Sequence, residues 1–103
     1  MIDGKWQIKV ISPFGEMNPV FEFICGERGR LKGTCYETPA LDNPIPIKRG
    51  KFDGNDFSFG FMMGTPMGAM DCNVSGSVEG DAITGAIKVI MGSTPFDGVR
   101  IKD

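Results

Sequence analysis

The chain alternates apolar and polar residues from Met70 to Met91, on both sides of Gly80-Asp81. A two-residue Gly-Asp loop favours a tight hairpin turn between two strands. Centring the pairing on that turn predicts cross-strand partners that are all apolar or glycine: Val78–Ile83, Gly76–Gly85, Val74–Ile87, Cys72–Val89 and Met70–Met91. One face of this hairpin is therefore expected to be buried and the other wet, and a one-residue slip would invert both.

The same alternation predicts a first strand over residues 4–11, with Trp6, Ile8 and Val10 on one side. A second strand over residues 19–25 is followed by Glu27-Arg28-Gly29, which suits a three-residue hairpin. The partners predicted across this second hairpin are Phe21–Cys35, Phe23–Gly33 and Cys25–Leu31.

A third hairpin is predicted at Gly54-Asn55, between strands over residues 45–53 and 56–63. Phe52 then faces Phe57, and Gly50 faces Phe59. The last strand is expected over residues 96–101. Glycine and proline mark residues 12–17, 38–46, 64–68 and 92–95 as loops, and we identify no amphipathic helix.

About eight consecutive antiparallel strands with one buried face predict a closed up-and-down β-barrel, formed as a single domain by residues 1–103. A barrel of that size is just filled by its side chains or holds one small ligand. Glycines inside the strands, such as Gly33, Gly60, Gly76 and Gly85, often mark the bends that closure needs.

Two short motifs carry a family resemblance. Gly4-Lys5-Trp6 and Gly98-Val99-Arg100 resemble the Gly-x-Trp motif and the late arginine of the calycins, the superfamily of lipocalins, fatty-acid-binding proteins and avidins. The chain also resembles small bacterial domains through Leu31/Gly33, Val78/Gly80/Asp81/Ile83/Gly85 and Phe96/Gly98/Arg100. The resemblance implies a lipocalin-like or streptavidin-like barrel in which Trp6 plugs one end and Arg100 packs across it.

Composition limits the chemistry. The chain has no histidine, which excludes Ser-His-Asp and Cys-His catalysis and argues against common zinc and haem sites. We therefore expect no enzyme activity, no metal and no cofactor. Carboxylates or a thiol acting as catalytic groups form the least supported alternative.

Charge gives little indication of a partner. The net charge of −2 carries no electrostatic signature of nucleic-acid or membrane binding, so neither partner is expected. Lys48-Arg49-Gly50-Lys51 is a small basic cluster. Strand alternation is expected to split it between two faces, which predicts solvated strand-end charge rather than an anion site.

The cellular location is inferred from the thiols and the N-terminus. Cys25, Cys35 and Cys72 are odd in number, and the N-terminus has no apolar stretch of signal-peptide length. We expect reduced thiols in a cytoplasmic protein.

Two hypotheses for the function remain. In the first, the lumen binds a small hydrophobic or aromatic ligand, with Arg100 as a polar anchor. The residues expected to line that site are Trp6, Phe21, Phe23, Phe57, Phe59, Phe61, Met63, Met70, Met91 and Arg100. In the second, a side-chain-filled barrel is a non-catalytic interaction or accessory module, and a homodimer is its expected assembly. Outward apolar residues motivate the dimer: Val20, Ile24, Met62 and Ile90.

Overall fold

A computed structural model of the chain describes residues 2–12, 15–38, 40–41, 43–65, 68–90 and 92–101, with the backbone only at Ser12 and Thr65. Its ten strands are β1 (Gly4–Ser12), β2 (Gly15–Met17), β3 (Val20–Cys25), β4 (Leu31–Tyr36), β5 (Ile45–Pro46), β6 (Lys48–Asp53), β7 (Asp56–Thr65), β8 (Gly68–Glu79), β9 (Ala82–Val89) and β10 (Gly92–Arg100). One 3₁₀ turn, Glu27–Gly29, joins β3 to β4. The described part of the chain contains no α-helix.

All ten strands belong to one antiparallel sheet. Nine follow the order β5-β4-β3-β1-β10-β9-β8-β7-β6, and β2 pairs only with β1. The two ends of this order approach each other, since the Ile47 amide donates to the Gly33 carbonyl at 3.1 Å and Arg30 forms a bridge with Lys51. The sheet is therefore a nearly closed up-and-down barrel, and the predicted fold class is confirmed.

The hairpin registers follow the predicted pattern. Across β8 and β9, Val78 faces Ile83, Gly76 faces Gly85 and Val74 faces Ile87. The turn residue Gly80 has a φ of 63°, in the left-handed region that favours glycine. The ladder begins at Asn73–Lys88, so the predicted Cys72–Val89 pair lies beyond it, and Met91 lies outside the described residues.

The other two hairpins were predicted with different success. All three pairs between β3 and β4 are confirmed, and so is Phe52–Phe57 between β6 and β7. The predicted Gly50–Phe59 pair falls within a register shift and is not a regular pair of the ladder. Lys48 faces Gly60 and Lys51 faces Ser58, so three steps along β6 match two along β7. The extra residue is a β-bulge, and Arg49 within it has a φ of 55°.

Gly50 explains why the bulge occurs where it does. A Cβ at this position would overlap the Leu31 carbonyl group of β4, so only glycine lets β6 approach β4 this closely. The bulge thus accompanies the near-closure of the barrel. The single strand predicted over residues 45–53 is divided at Ile47 into β5 and β6.

Three predicted loops are shorter in the structure. Residues 15–17 form β2, because they pair with the end of β1. β7 continues to Thr65 and β8 begins at Gly68, which face each other. β10 begins at Gly92, and Pro95 faces Ala86 inside its ladder with β9. Pro13, Phe14, Pro66 and Met67 lie outside the described residues.

The inward faces of the strands build one hydrophobic core. Its members are Ile2, Trp6, Ile8, Val10, Phe21, Phe23, Leu31, Cys35, Phe57, Phe59, Phe61, Cys72, Val74, Val78, Ile83 and Phe96. No polar or charged residue among those described is buried. Every charged residue whose side chain the structure describes is therefore at least partly exposed, although Asp3 Oδ1 is itself buried.

Candidate functional site

The lumen of the barrel is occupied by aromatic rings. Phe59 lies edge-on to Phe23 and Phe21, with ring centroids 5.4 and 5.5 Å apart. Phe57 and Phe61 lie on either side of Phe59 along β7, at 6.1 and 6.3 Å. Edge-to-face contacts at these distances are favourable, and all five rings are at most 8% exposed. The rings fill the interior with their own contacts.

Most of the residues predicted to line a lumen site belong to this packed interior. Trp6, Phe21, Phe23, Phe57, Phe59 and Phe61 lie in the buried core, and Met63 packs against it. Met70 faces Met63 across β7 and β8 and is half-buried. Met91 lies outside the described residues. The structure therefore gathers seven of the ten predicted residues in or against the packed core, and the binding role of the set stays a prediction.

One end of the barrel is organised around Trp6. Its indole Nε1 donates to the Ile2 carbonyl at 2.8 Å, and the Arg100 guanidinium lies over the ring, 4.3 Å from the centroid. Arg100 Nε donates to Asp81 Oδ1 at 3.0 Å, and its Nη1 donates to the Asp3 carbonyl. This is the contact that the calycin resemblance implied. The two acceptors, Asp81 Oδ1 and the Asp3 carbonyl oxygen, hold the arginine at the barrel end.

Two of the three thiols offer little nucleophilic chemistry. Cys35 and Cys72 are buried, Cys25 is half-buried, and none of them forms a disulfide. Burial raises the pKa of Cys35 to about 12, and the neighbouring Cys72 thiol contributes to the rise. Burial also raises the pKa of Cys72, and the Asp71 carboxylate adds to that shift. Both thiols are thus protonated at neutral pH.

Neither a metal cluster nor a membrane-spanning helix is found in the described part of the chain. No three His, Cys, Asp or Glu side chains within it are grouped so as to hold a metal ion. No helix within it is long and apolar enough to cross a bilayer.

The outer surface of the barrel carries charged residues that are more distinctive than the packed lumen or the thiols. A cleft of about 960 Å³ lies between β4 and β6, where the sheet nearly closes. Six of its lining side chains are cationic: Arg28, Arg30, Lys32, Lys48, Arg49 and Lys51. A second cleft of about 300 Å³ lies over β7 and β8 and adds Lys88 of β9. We call the surface formed by these seven residues the cationic face.

The bulge and the strand alternation together produce this face. Leu31 points into the core, so its neighbours Arg30 and Lys32 point outward. Lys48 and Lys51 face Gly60 and Ser58, which alternate with the inward phenylalanines of β7. Both lysines are therefore on the outer side of the barrel, although they are three residues apart. The prediction that alternation splits this cluster is wrong, because the bulge adds a residue between them.

Arg49 is held across the outer surface of β7. Its guanidinium lies over Gly60, at the place that a Cβ would take, and its Nη2 donates to Asn73 Oδ1 at 3.2 Å. Asp71 Oδ1 lies 3.7 Å from Arg49 Nη2 and 3.2 Å from Lys48 Nζ. The hydrogen bond from Lys48 lowers the pKa of Asp71, and the charge of Arg49 adds to the effect. Asp71 is thus an ionised counter-ion for two of the seven cations.

Four further cations of the face lie apart from the described carboxylates. Among the residues that the structure describes, no carboxylate lies within ion-pair distance of Arg28, Arg30, Lys32 or Lys51. All four side chains are exposed. Such unpaired positive charge is free to attract an anion.

The two clefts form one continuous track. Arg49 and Lys51 line both, and the second cleft also contains Ser58, Asn73 and Ser75. The track holds seven of the eleven lysines and arginines of the chain; Asp53 lines the first cleft, and Asp71 pairs with Lys48 and Arg49. The net charge of −2 conceals this segregation. The sequence contains one sign of this face, namely the alternating cations at positions 28, 30 and 32. Their proximity to the cations of β6 could not be read from the sequence, because it depends on how the barrel closes.

The apolar residues that motivated a homodimer do not form a patch. Val20 is fully buried. Ile24 lies on β3, Met62 on β7 and Ile90 after β9, and these strands are not adjacent in the sheet. Isolated exposed apolar residues are ordinary on a protein surface.

Comparison of the chain with protein-family models, curated proteins and solved structures finds no match. The functional argument therefore depends on the site itself.

Proposed function

We propose that this protein is a non-catalytic binding module: its barrel is a side-chain-filled scaffold, and its cationic face binds an anionic partner. The proposal corresponds to the second hypothesis from the sequence, with a charged surface in place of an apolar dimer contact. The observation that carries it is the gathering of seven cations along one track of a chain whose net charge is negative.

Segregated charge of this kind requires an explanation. Like charges brought together repel, so a cluster without partners costs free energy and is usually offset by neighbouring acids. Here Asp71 offsets Lys48 and Arg49, and the remaining five cations lie along the two open clefts. A bound anion would relieve the repulsion and gain from the shared field of the face.

The packed lumen supports the scaffold part of the proposal. A ligand inside the barrel would have to displace rings that already contact one another at 5.4 to 6.3 Å. Ligand sites are normally open pockets of about 300 Å³ or more. Both clefts of this size lie on the outer surface, so we place the binding function there.

A calycin-like origin is part of the proposal. The up-and-down barrel and the Arg100–Trp6 contact support it. A cytoplasmic location is proposed as well, in keeping with the three free thiols. Self-association is not required for the function proposed.

Ion-exchange chromatography tests this function. A protein with a pI near 5.0 should pass through a sulfonate cation exchanger at neutral pH unless its positive charge is concentrated. We expect retention at low salt, and loss of retention in Lys51→Glu and Arg30→Glu. Lys9→Glu, an equal charge change on the exposed side of β1, should be retained like the wild type. Passage of the wild type through the column would contradict the proposal.

A further inference from the structure

We infer that the anionic partner of the cationic face is single-stranded nucleic acid, bound through its phosphates with little preference for sequence. This inference rests on the proposed function and names the partner for the same surface. It departs from the expectation based on net charge, because net charge does not record where the charges lie.

The layout of the cations favours a linear polyanion over a compact one. A small anion is held best by donors that converge on one point. Here the cations extend from β4, across β6, to Lys88 of β9. In the order β4, β6, β7, β8, β9 this is four strand steps, or roughly 19 Å at about 4.8 Å per step. Charges spread over such a distance match a chain with repeated negative charges.

The residues between the cations favour a phosphate backbone over an acidic protein segment. Ser58, Asn73 and Ser75 lie between the cations in the second cleft, and Ser58 faces Ser75 across the ladder. Their hydroxyl and amide groups are suitable donors to phosphate oxygens. Peptide segments are usually anchored by apolar pockets or by strand addition. The outward positions of the second cleft provide polar and cationic side chains instead.

The aromatic residues of the two clefts indicate how the bases of a bound strand would be contacted. Proteins that bind single strands usually stack bases on exposed aromatic side chains. Phe52, which is half-buried, is the aromatic side chain of the first cleft, and the inward Phe59 is that of the second. Both rings lie on the inward side of their strands, since Phe52 faces the buried Phe57 and packs against the core. Binding is therefore expected to depend on phosphate contacts, with modest affinity, strong salt dependence and little sequence preference.

Arginine on the face suits this partner. Arg28 and Arg30 are exposed and have no carboxylate partner among the described residues, so their planar guanidinium groups are free to bind phosphate with two hydrogen bonds. The first cleft is therefore expected to hold the strongest phosphate contacts.

Fluorescence anisotropy with a labelled oligothymidylate of about 16 nucleotides tests the inference at about 50 mM salt and then at increasing salt. If about four phosphates are contacted, the logarithm of the association constant should fall with the logarithm of salt with a slope near −3, since each contact contributes about −0.7. Lys51→Gln removes one contact and should make the slope less negative by about 0.7. Arg30→Glu should weaken binding at least tenfold, and Lys9→Glu should leave it unchanged. Circular dichroism confirms that each variant is folded.

Two other probes separate the inference from the proposed function. Polyglutamate carries a similar charge density without phosphates, and a duplex of the same length carries phosphates in a different shape. Tighter binding of the single strand than of either polyglutamate or the duplex supports the inference. Preference for polyglutamate or the duplex would overturn the inference and leave the anion-binding function standing. No binding of any polyanion by the folded wild-type protein would overturn both.

Discussion

The guanidinium of Arg49 lies over the α-carbon of Gly60, where the side chain of any other residue would begin. A Cβ at Gly60 would meet the guanidinium and would lie 3.3 Å from the Cys72 carbonyl oxygen. Gly60 is therefore the surface position that lets Arg49 reach Asn73 on the next strand. This contact positions one cation shared by both clefts.

Gly60→Ala should lower the free energy of unfolding by about 1 kcal/mol, because the hydrogen bond from Arg49 to Asn73 is lost. If the alanine acts through Arg49, the same substitution should cost at least about 0.5 kcal/mol less in an Arg49→Ala background. Urea denaturation measures both values. Gly64→Ala is the matched control on β7, since a Cβ there meets nothing within 4 Å. Equal effects of the two glycine substitutions would contradict this role for Gly60.

Asp71→Asn should strengthen the binding of polyanions by roughly threefold to tenfold. The Asp71 carboxylate forms ion pairs with Lys48 and Arg49. The hydrogen bond from Lys48 lowers the pKa of Asp71, so the carboxylate is ionised at neutral pH and competes with a polyanion for these two cations. Removing one nearby charge is worth about 1 kcal/mol at 4 Å in water. Anisotropy measures the change. Asp97→Asn removes an equal charge from β10, opposite Lys9, and should have a smaller effect. Weaker binding after Asp71→Asn would mean that Asp71 positions the cations instead of competing with the ligand.

Phe59→Ala should destabilise the protein by about 3 to 5 kcal/mol, the usual cost of emptying an aromatic position in a packed core. Phe59 contacts Phe21 and Phe23 edge-on and lies between Phe57 and Phe61. Phe52→Ala is the comparison, because that ring is half-buried and should cost less. Chemical denaturation gives both values. A loss below about 1 kcal/mol for Phe59→Ala would instead indicate a loosely filled lumen with room for a ligand.

The stability of the protein should depend on Cys35 at alkaline pH. Its pKa is about 12 in the folded protein, mainly because of burial, against 9.0 for an exposed thiol. The unfolded chain releases this proton first as pH rises, so the contribution of the neutral thiol is fully present below about pH 9 and is lost between about 9 and 12. In this range the free energy of unfolding should fall by up to about 1.4 kcal/mol per pH unit. Cys35→Ala should remove it, and identical alkaline profiles for the variant and the wild type would contradict the assignment.

Local sequence pattern was sufficient for much of the fold. The pairs Val78–Ile83 and Phe23–Gly33 follow from alternation around a short turn, since turn length fixes the register of a hairpin. The Arg100–Trp6 contact followed from the family resemblance. These features depend on neighbouring residues or on a recognisable motif.

The candidate site could not be predicted in the same way. It depends on the bulge at Arg49 and on the approach of β6 to β4, which joins segments about twenty residues apart without a hairpin turn. Alternation assigns one face to Lys48 and the opposite face to Lys51, and a single inserted residue reverses that assignment. Net charge also averages over the surface. The cationic face is therefore a tertiary feature.

The most direct test of the cationic face as the binding surface is a ¹H–¹⁵N chemical-shift titration with an oligothymidylate. We expect the shifts to be confined to residues 28–33 and 47–53 and to the positions of Ser58, Asn73, Ser75 and Lys88. The indole resonance of Trp6, which is buried at the barrel end, should remain unchanged. Shifts centred on Trp6 and the inward residues of β7, or no shifts at all, would contradict the account.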